Sequence, residues 1–291
     1  MGQRGGLASV AHRLRVALLL ALAGAFLPSA SNADVMLDQA GDIWLWPHFE
    51  IYLDAEGQLS AAQVAAVPEA RWSRLERRHQ HLGNRPEAVL WARFTLVADL
   101  PGQRRWMLVH QQSFVDEVAL YGRAADGGWR LVTGLREATT GWFGGVRNPS
   151  FALDISAGES RDFLLRASTQ SLLRLPLLVR PEAVYFQAER ASYMASGALI
   201  AIPLAASLFI FLLWRIQRRQ GLLTVIGLIL SEVIGASWVG GVLHAVLPVA
   251  DPRSLGLVGM LSWTSTVALG YRHARLFLYL DRDAPRLARA Y

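Results

Sequence analysis

Ala191–Trp214 runs for 24 residues without one charged side chain. At about 1.5 Å of helical rise per residue it reaches roughly 36 Å, enough to cross a hydrocarbon layer of about 30 Å with some tilt. A buried helix of a water-soluble domain is rarely so long and so apolar. The stretch therefore reads as a membrane span, and it divides the chain. Two more apolar stretches follow, which places spans at about 193–214, 222–247 and 255–275 within a membrane segment of 188–291.

The charges agree with that division. The net charge of +6 would suit a phosphate-binding surface, but it is unevenly spread. Residues 1–33 hold three arginines and no acid, residues 34–190 hold 17 arginines against 19 acids, and residues 191–291 hold nine against four. The segment before the spans is thus slightly acidic, and the excess base flanks the apolar stretches. That is the pattern of a topology signal and it argues against nucleic acid as a partner. Cysteine is absent, so disulfides, thiolate nucleophiles and cysteine metal sites are excluded.

Arg4, Arg13 and Arg15 precede the apolar run Val16–Leu27, and Ser31 and Ala33 stand where a signal peptidase wants small residues. Residues 1–33 read as a signal peptide. Residues 34–187 are then an exported domain, and their composition reads as β-rich. Ile43–Tyr52 places Trp44 and Trp46 in period two, and aromatic or β-branched runs recur at Val89–Val97, Trp106–His110, Glu117–Tyr121, Trp129–Val132, Phe151–Ile155, Asp162–Ala167 and Leu173–Arg180. Asp126-Gly127-Gly128 predicts a hairpin turn, and the S-x-x-Q pattern from Ser60 predicts a short helix over about 60–67. Short strands between turn residues indicate an all-β sandwich or jelly roll. Trp91, Trp106 and Trp129 fall inside strand patterns and read as core. Pro181-Glu182 suits the first turn of a helix heading for the membrane.

Arg215, Arg218 and Arg219 follow the first span, and Arg282, Arg286 and Arg289 lie in the tail, whereas Asp251 and Arg253 cancel between the second and third. The positive-inside rule puts the first loop and the tail in the cytoplasm, so the β domain lies outside. This gives a multi-pass protein of the bacterial inner membrane with a periplasmic β domain and a cytoplasmic C-terminus.

The order of these features resembles the bacterial seven-transmembrane receptors with diverse intracellular signalling modules. The resemblance is carried by Val89-Leu-Trp-Ala-Arg-Phe94, Trp106-Met-Leu-Val109, Asp116-Glu-Val-Ala-Leu-Tyr121 with its Asp126-Gly127-Gly128 turn, Phe163-Leu-Leu-Arg166 and Leu175-Pro-Leu177. Leu276-Phe-Leu-Tyr-Leu280 and Pro285-Arg-Leu287 look like the exit from the third helix. The resemblance implies an exported jelly-roll sensor, a seven-helix membrane domain and a cytoplasmic kinase or cyclase output. Three spans fit here, so the chain is expected to be a fragment or a truncated product, with the output domain absent.

In the loop GWFGGVRNP, Trp142 and Phe143 could stack a sugar ring while Arg147 and Asn148 bond its hydroxyls or a carboxylate; the alternative is an edge cap with Arg147 paired to an acid. Glu232 stands midway along the second span, where a carboxylate is costly and takes a packing or coupling role. His79 and His81 lack a third ligand at metal spacing and read as solvated. Asp116 and Glu117 mark a strand start. No nucleotide loop, nucleophile elbow or kinase signature occurs, so no catalysis and no cofactor are expected. The reading is a receptor that takes a small molecule, such as a carbohydrate, or a periplasmic protein, lies in the lipid bilayer, where it could pair as a homodimer, and signals inward. The alternative is a membrane-anchored carbohydrate-binding or envelope-assembly module without signalling.

Overall fold

The computed structural model describes residues 34–279 except 39, 40, 47, 78, 79, 81, 84, 104, 114, 133–145, 171 and 248–251. The strands are β1 (Val35–Leu37), β2 (Ile43–Trp44), β3 (Glu50–Asp54), β4 (Ser73–Arg74), β5 (Val89–Ala98), β6 (Arg105–His110), β7 (Glu117–Arg123), β8 (Trp129–Val132), β9 (Ser150–Asp154), β10 (Ser160–Ser168) and β11 (Leu177–Pro181). Among the described residues they form two sheets. The first runs β4-β3-β5-β10-β7-β8, with β1 added parallel to the end of β5; the second runs β2-β11-β6-β9. Apart from β1 every pairing is antiparallel.

The two sheets share one core. Leu90, Phe94, Leu96, Phe163 and Leu165 from the first sheet meet Trp106, Leu108, Phe151, Leu153, Leu177 and Val179 from the second. The Phe94 and Phe163 rings stack at 5.7 Å between centroids. Strand alternation therefore sends these side chains inward and their neighbours outward. The predicted strands from Val89 onward appear within a residue or two of their expected ends, save one. Leu173–Arg180 is a strand only over Leu177–Pro181. Pro176 has no N–H to give to a ladder, and its carbonyl instead accepts from the Gln111 amide at 2.9 Å. The continuous strand expected over Ile43–Tyr52 also splits. β2 pairs with β11 and β3 with β5, so this segment leaves one sheet for the other, turning where the His48 amide bonds Leu45 O at 2.6 Å.

Helix α1 (Ala61–Ala65) is closed by the expected capping box: Ser60 accepts from the Gln63 amide, and Gln63 accepts from the Ser60 amide at 2.9 Å. It covers the outer face of the first sheet, where Ala61, Val64, Trp72, Val89, Trp91 and Leu164 make a second, smaller core. That cover explains why Val89–Ala92 is buried on both faces.

Three longer helices and one short one follow: α2 (Glu182–Gln217), α3 (Gln220–Val239), α4 (Val242–Val246) and α5 (Pro252–Phe277). α2 and α3 are long and apolar enough to cross a bilayer, at 36 and 20 residues. Their pattern is inverted relative to the β domain. Leu199, Ile202, Leu208 and Phe209 point outward, while Thr224, Ser231, Gly235 and Ser237 are buried between helices. Close packing on small residues, with Ser231 bonded to Thr266 at 2.8 Å and Thr224 to His273 at 3.2 Å, is how helices associate where lipid removes the hydrophobic drive. The second apolar stretch is not one helix to residue 247. It stops at Val239, because Gly240-Gly241 turns the chain with Gly241 at φ +74°.

Candidate functional site

A recess of about 240 Å³ opens on the outer face of the first sheet. Register builds it: Asp162 lies opposite Thr95, and Leu164 lies opposite both Arg93 and Tyr121, so these side chains share the face away from the core. Trp72 and Ala65 wall one side, Trp129 and Arg123 the other. Arg93 bonds Glu50 at 2.6 and 2.9 Å, and its guanidinium sits 4.6 Å from the Trp72 ring centre. Asp162 accepts from Thr95 at 2.9 Å and from Arg123 at 3.1 Å. Each of these cations is thus paired with a carboxylate, Glu50 also holding Arg74 at 3.3 Å. What remains for a ligand is aromatic wall plus oriented, charge-balanced hydrogen-bonding groups, a setting that favours a compact, neutral polar molecule over an ion.

The opposite sheet carries the helices. Pro181 is both the last residue of β11 and the N-cap of α2, so no linker separates strand from membrane helix. The opening turns of α2, ahead of the uncharged run, lie against this sheet. Tyr185 is 1% exposed and packs with Met107, Val109 and Leu178. Burial pushes its phenol above the ordinary tyrosine range. At the start of the helix Glu182 meets Arg105 at 3.4 Å, and buried Arg180 bonds Asp42 at 2.8 Å. Glu189 adds a third carboxylate to this junction. Burial raises its pKa, against an opposing pull from Arg147 and Arg180.

A second contact joins the β domain to the end of α3. Ser113 Oγ donates to Val239 O at 2.8 Å, and Arg147 Nε donates to Gly240 O at 2.6 Å. Arg147 also faces the Tyr193 ring of α2, 5.9 Å from its centre.

Of the expected ligand residues, Arg147 therefore sits at this junction and Asn148 beside it, partly buried, with its carbonyl accepting from Ser150 Oγ at 3.1 Å. Trp142 and Phe143, like His79 and His81, lie outside the described residues. Glu232 is exposed on α3. Asp116 accepts from the Gln170 amide at 2.6 Å and Glu117 opens β7, so the acidic pair does start a strand. Trp91 and Trp106 are fully buried, as read, but Trp129 is only half-buried and lines the recess. Among the described residues no three His, Asp or Glu side chains converge to hold a metal. Sequence reasoning passes over Trp72, Arg93, Arg123 and Asp162. The outward phase of Arg93 and Thr95 against buried Phe94 was a readable signal; the pairing of β5, β10 and β7 that assembles them was not.

An extramembrane β domain with a recess on one sheet and membrane helices held by the other defines a membrane protein built around an external sensor-type domain. Residues 46–180 match the family model described as 7TMR-DISM extracellular 2, so this segment is similar to the extracellular sensor domain of 7TMR-DISM receptors. The match covers the Val89–Leu177 motifs of the resemblance and none of those beyond residue 180. Comparison with curated proteins returned no match.

Proposed function

We propose that this chain is a signal-transducing receptor of the inner membrane. Its periplasmic jelly-roll domain binds a small, neutral polar ligand in the Trp72–Trp129 recess, and three spanning helices, α5 being the third, carry the response to a cytoplasmic output. The observation that carries this reading is the seamless passage from β11 into α2 at Pro181. A shift of the second sheet must move the helix, since no flexible residue stands between them to absorb it.

The test uses the purified full chain in nanodiscs. A panel of neutral mono- and disaccharides and small polyols is screened by thermal shift, and spin labels on α2 and α3 report helix spacing. A stabilising compound should change the spacing in the wild type and lose that effect after a glycine-rich insertion between Pro181 and Glu182. An unchanged response after insertion would sink the strand-to-helix route. Binding without any change in spacing would favour an anchored binding module that does not signal.

A further inference from the structure

We propose that Arg147 and Ser113 form a latch that holds the outer end of α3 to the β domain, independently of the β11–α2 connection, so that the β domain sets the position of two helices relative to each other. The latch rests on the chemistry of a helix end. The last carbonyls of α3 have no partner within the helix and form the negative end of its dipole. Val239 O and Gly240 O belong to this set, and both are satisfied from the β domain, by a hydroxyl and by a guanidinium. A cation at a helix C-terminus is favoured twice, by the dipole and by a charge-assisted hydrogen bond.

The backbone is shaped for the approach. A Cβ on Gly241 would fall 2.6 Å from Arg147 O and 2.8 Å from Ser113 Cβ, so only glycine lets the two segments lie this close. Gly241 also takes φ +74°, the left-handed region that glycine enters freely. Ser113 is 3% exposed, so this contact is sealed and not a surface brush.

Arg147 serves both helices. Its Nε bonds the α3 terminus, its guanidinium faces Tyr193 of α2, and its charge reaches Glu189 one turn earlier. Ser113 follows β6 and Arg147 precedes β9, the two neighbouring strands of the helix-bearing sheet. The sheet therefore grips α2 through β11 and α3 through these two loops. A change in its twist changes the α2–α3 spacing at their outer ends. Arg147 and Ser113 are positioning residues in this scheme.

The chain has no cysteine, so labels can be placed at will. Leu131, Val246 and Leu199 are all exposed, on β8, α4 and α2 respectively. Double electron–electron resonance is measured for the label pairs 131/246 and 131/199 on the full chain in nanodiscs. Arg147→Ala should broaden the 131/246 distance distribution at least twofold and leave 131/199 unchanged, because β11 still holds α2. Should Arg147→Ala fail to fold, Ser113→Ala removes only a hydroxyl and should broaden the first pair to a lesser extent. No broadening of 131/246 in a folded variant would overturn the latch. Equal broadening of both pairs would also overturn it, since Arg147 would then hold the domain as a whole.

Discussion

Gly241→Ala is the substitution whose cost follows most directly from the packing of the turn. An L-residue in the left-handed region costs about 1–2 kcal/mol. The new methyl would lie 2.6 Å from a backbone oxygen and 2.8 Å from Ser113 Cβ, and a main-chain carbonyl cannot rotate aside as a long side chain would. The Gly240–Gly241 turn must withdraw from the β domain, losing the Arg147–Gly240 bond, worth roughly 1.5–3 kcal/mol, and the Ser113–Val239 bond, worth roughly 0.5–1.5 kcal/mol. The total is about 3–6 kcal/mol, or two to four orders of magnitude in the equilibrium between docked and undocked turn. Amide hydrogen exchange across 238–247 reads that equilibrium, since Gly240, Gly241 and Ala245 amides are all bonded inside the turn. Exchange there should accelerate by at least about a hundredfold. Gly102→Ala is the matched control: its φ is +77°, but nothing lies within 4 Å of the added carbon. It carries the same backbone strain without the collision and should leave 238–247 unchanged. If both variants leave that exchange unchanged, the close packing of Gly241 does not hold α3 and the reasoning fails.

Trp129→Ala should abolish the thermal shift produced by any ligand of the recess while costing the unliganded protein less than the roughly 3–5 kcal/mol of a buried tryptophan, because Trp129 is only half-buried; full retention of the shift would remove the recess from consideration. Ser60→Ala should lower stability by about 1 kcal/mol through loss of the Ser60 Oγ arm of the α1 capping box, the backbone amide at 60 still reaching Gln63, read as a drop in the melting temperature. Glu189 has its folded-state pKa raised by burial, so its charged form opposes docking of α2 at neutral pH, and the opposition lifts as pH falls through the folded value toward the ordinary carboxylate range. Glu189→Gln should therefore flatten that part of the stability–pH curve, and an unaltered slope would show that the carboxyl is not strained there.

Much of this molecule is legible in its sequence. Period-two runs locate β5 to β10 because a half-buried strand must alternate, and Ser60 with Gln63 locates α1 because the cap is a local bond. Length without charge marks α2. Reading fails where an element's end depends on a distant partner. Ile43–Tyr52 alternates as one strand, yet its two halves pair with β11 and β5 in different sheets. The stretch from 222 to 247 is broken by one charge alone, Glu232, yet Gly240-Gly241 ends the helix where the β domain supplies the missing caps.

The candidate site divides in the same way. Arg147 stands out in sequence as a cation in a glycine- and aromatic-rich loop, but residue type alone leaves open whether it meets a ligand, an acid or a helix end. Its partner lies 93 positions away and only the docking of α3 brings it near. Trp72, Arg93, Arg123, Trp129 and Asp162 come from five separate segments, and the register of β5, β10 and β7 makes them one surface. Sequence by itself determined the local matters: where the chain turns, where it alternates, and where it is too apolar for water. Tertiary structure alone decided which outward face became a recess and which gripped the membrane helices, because those depend on pairings between residues that no local interaction relates.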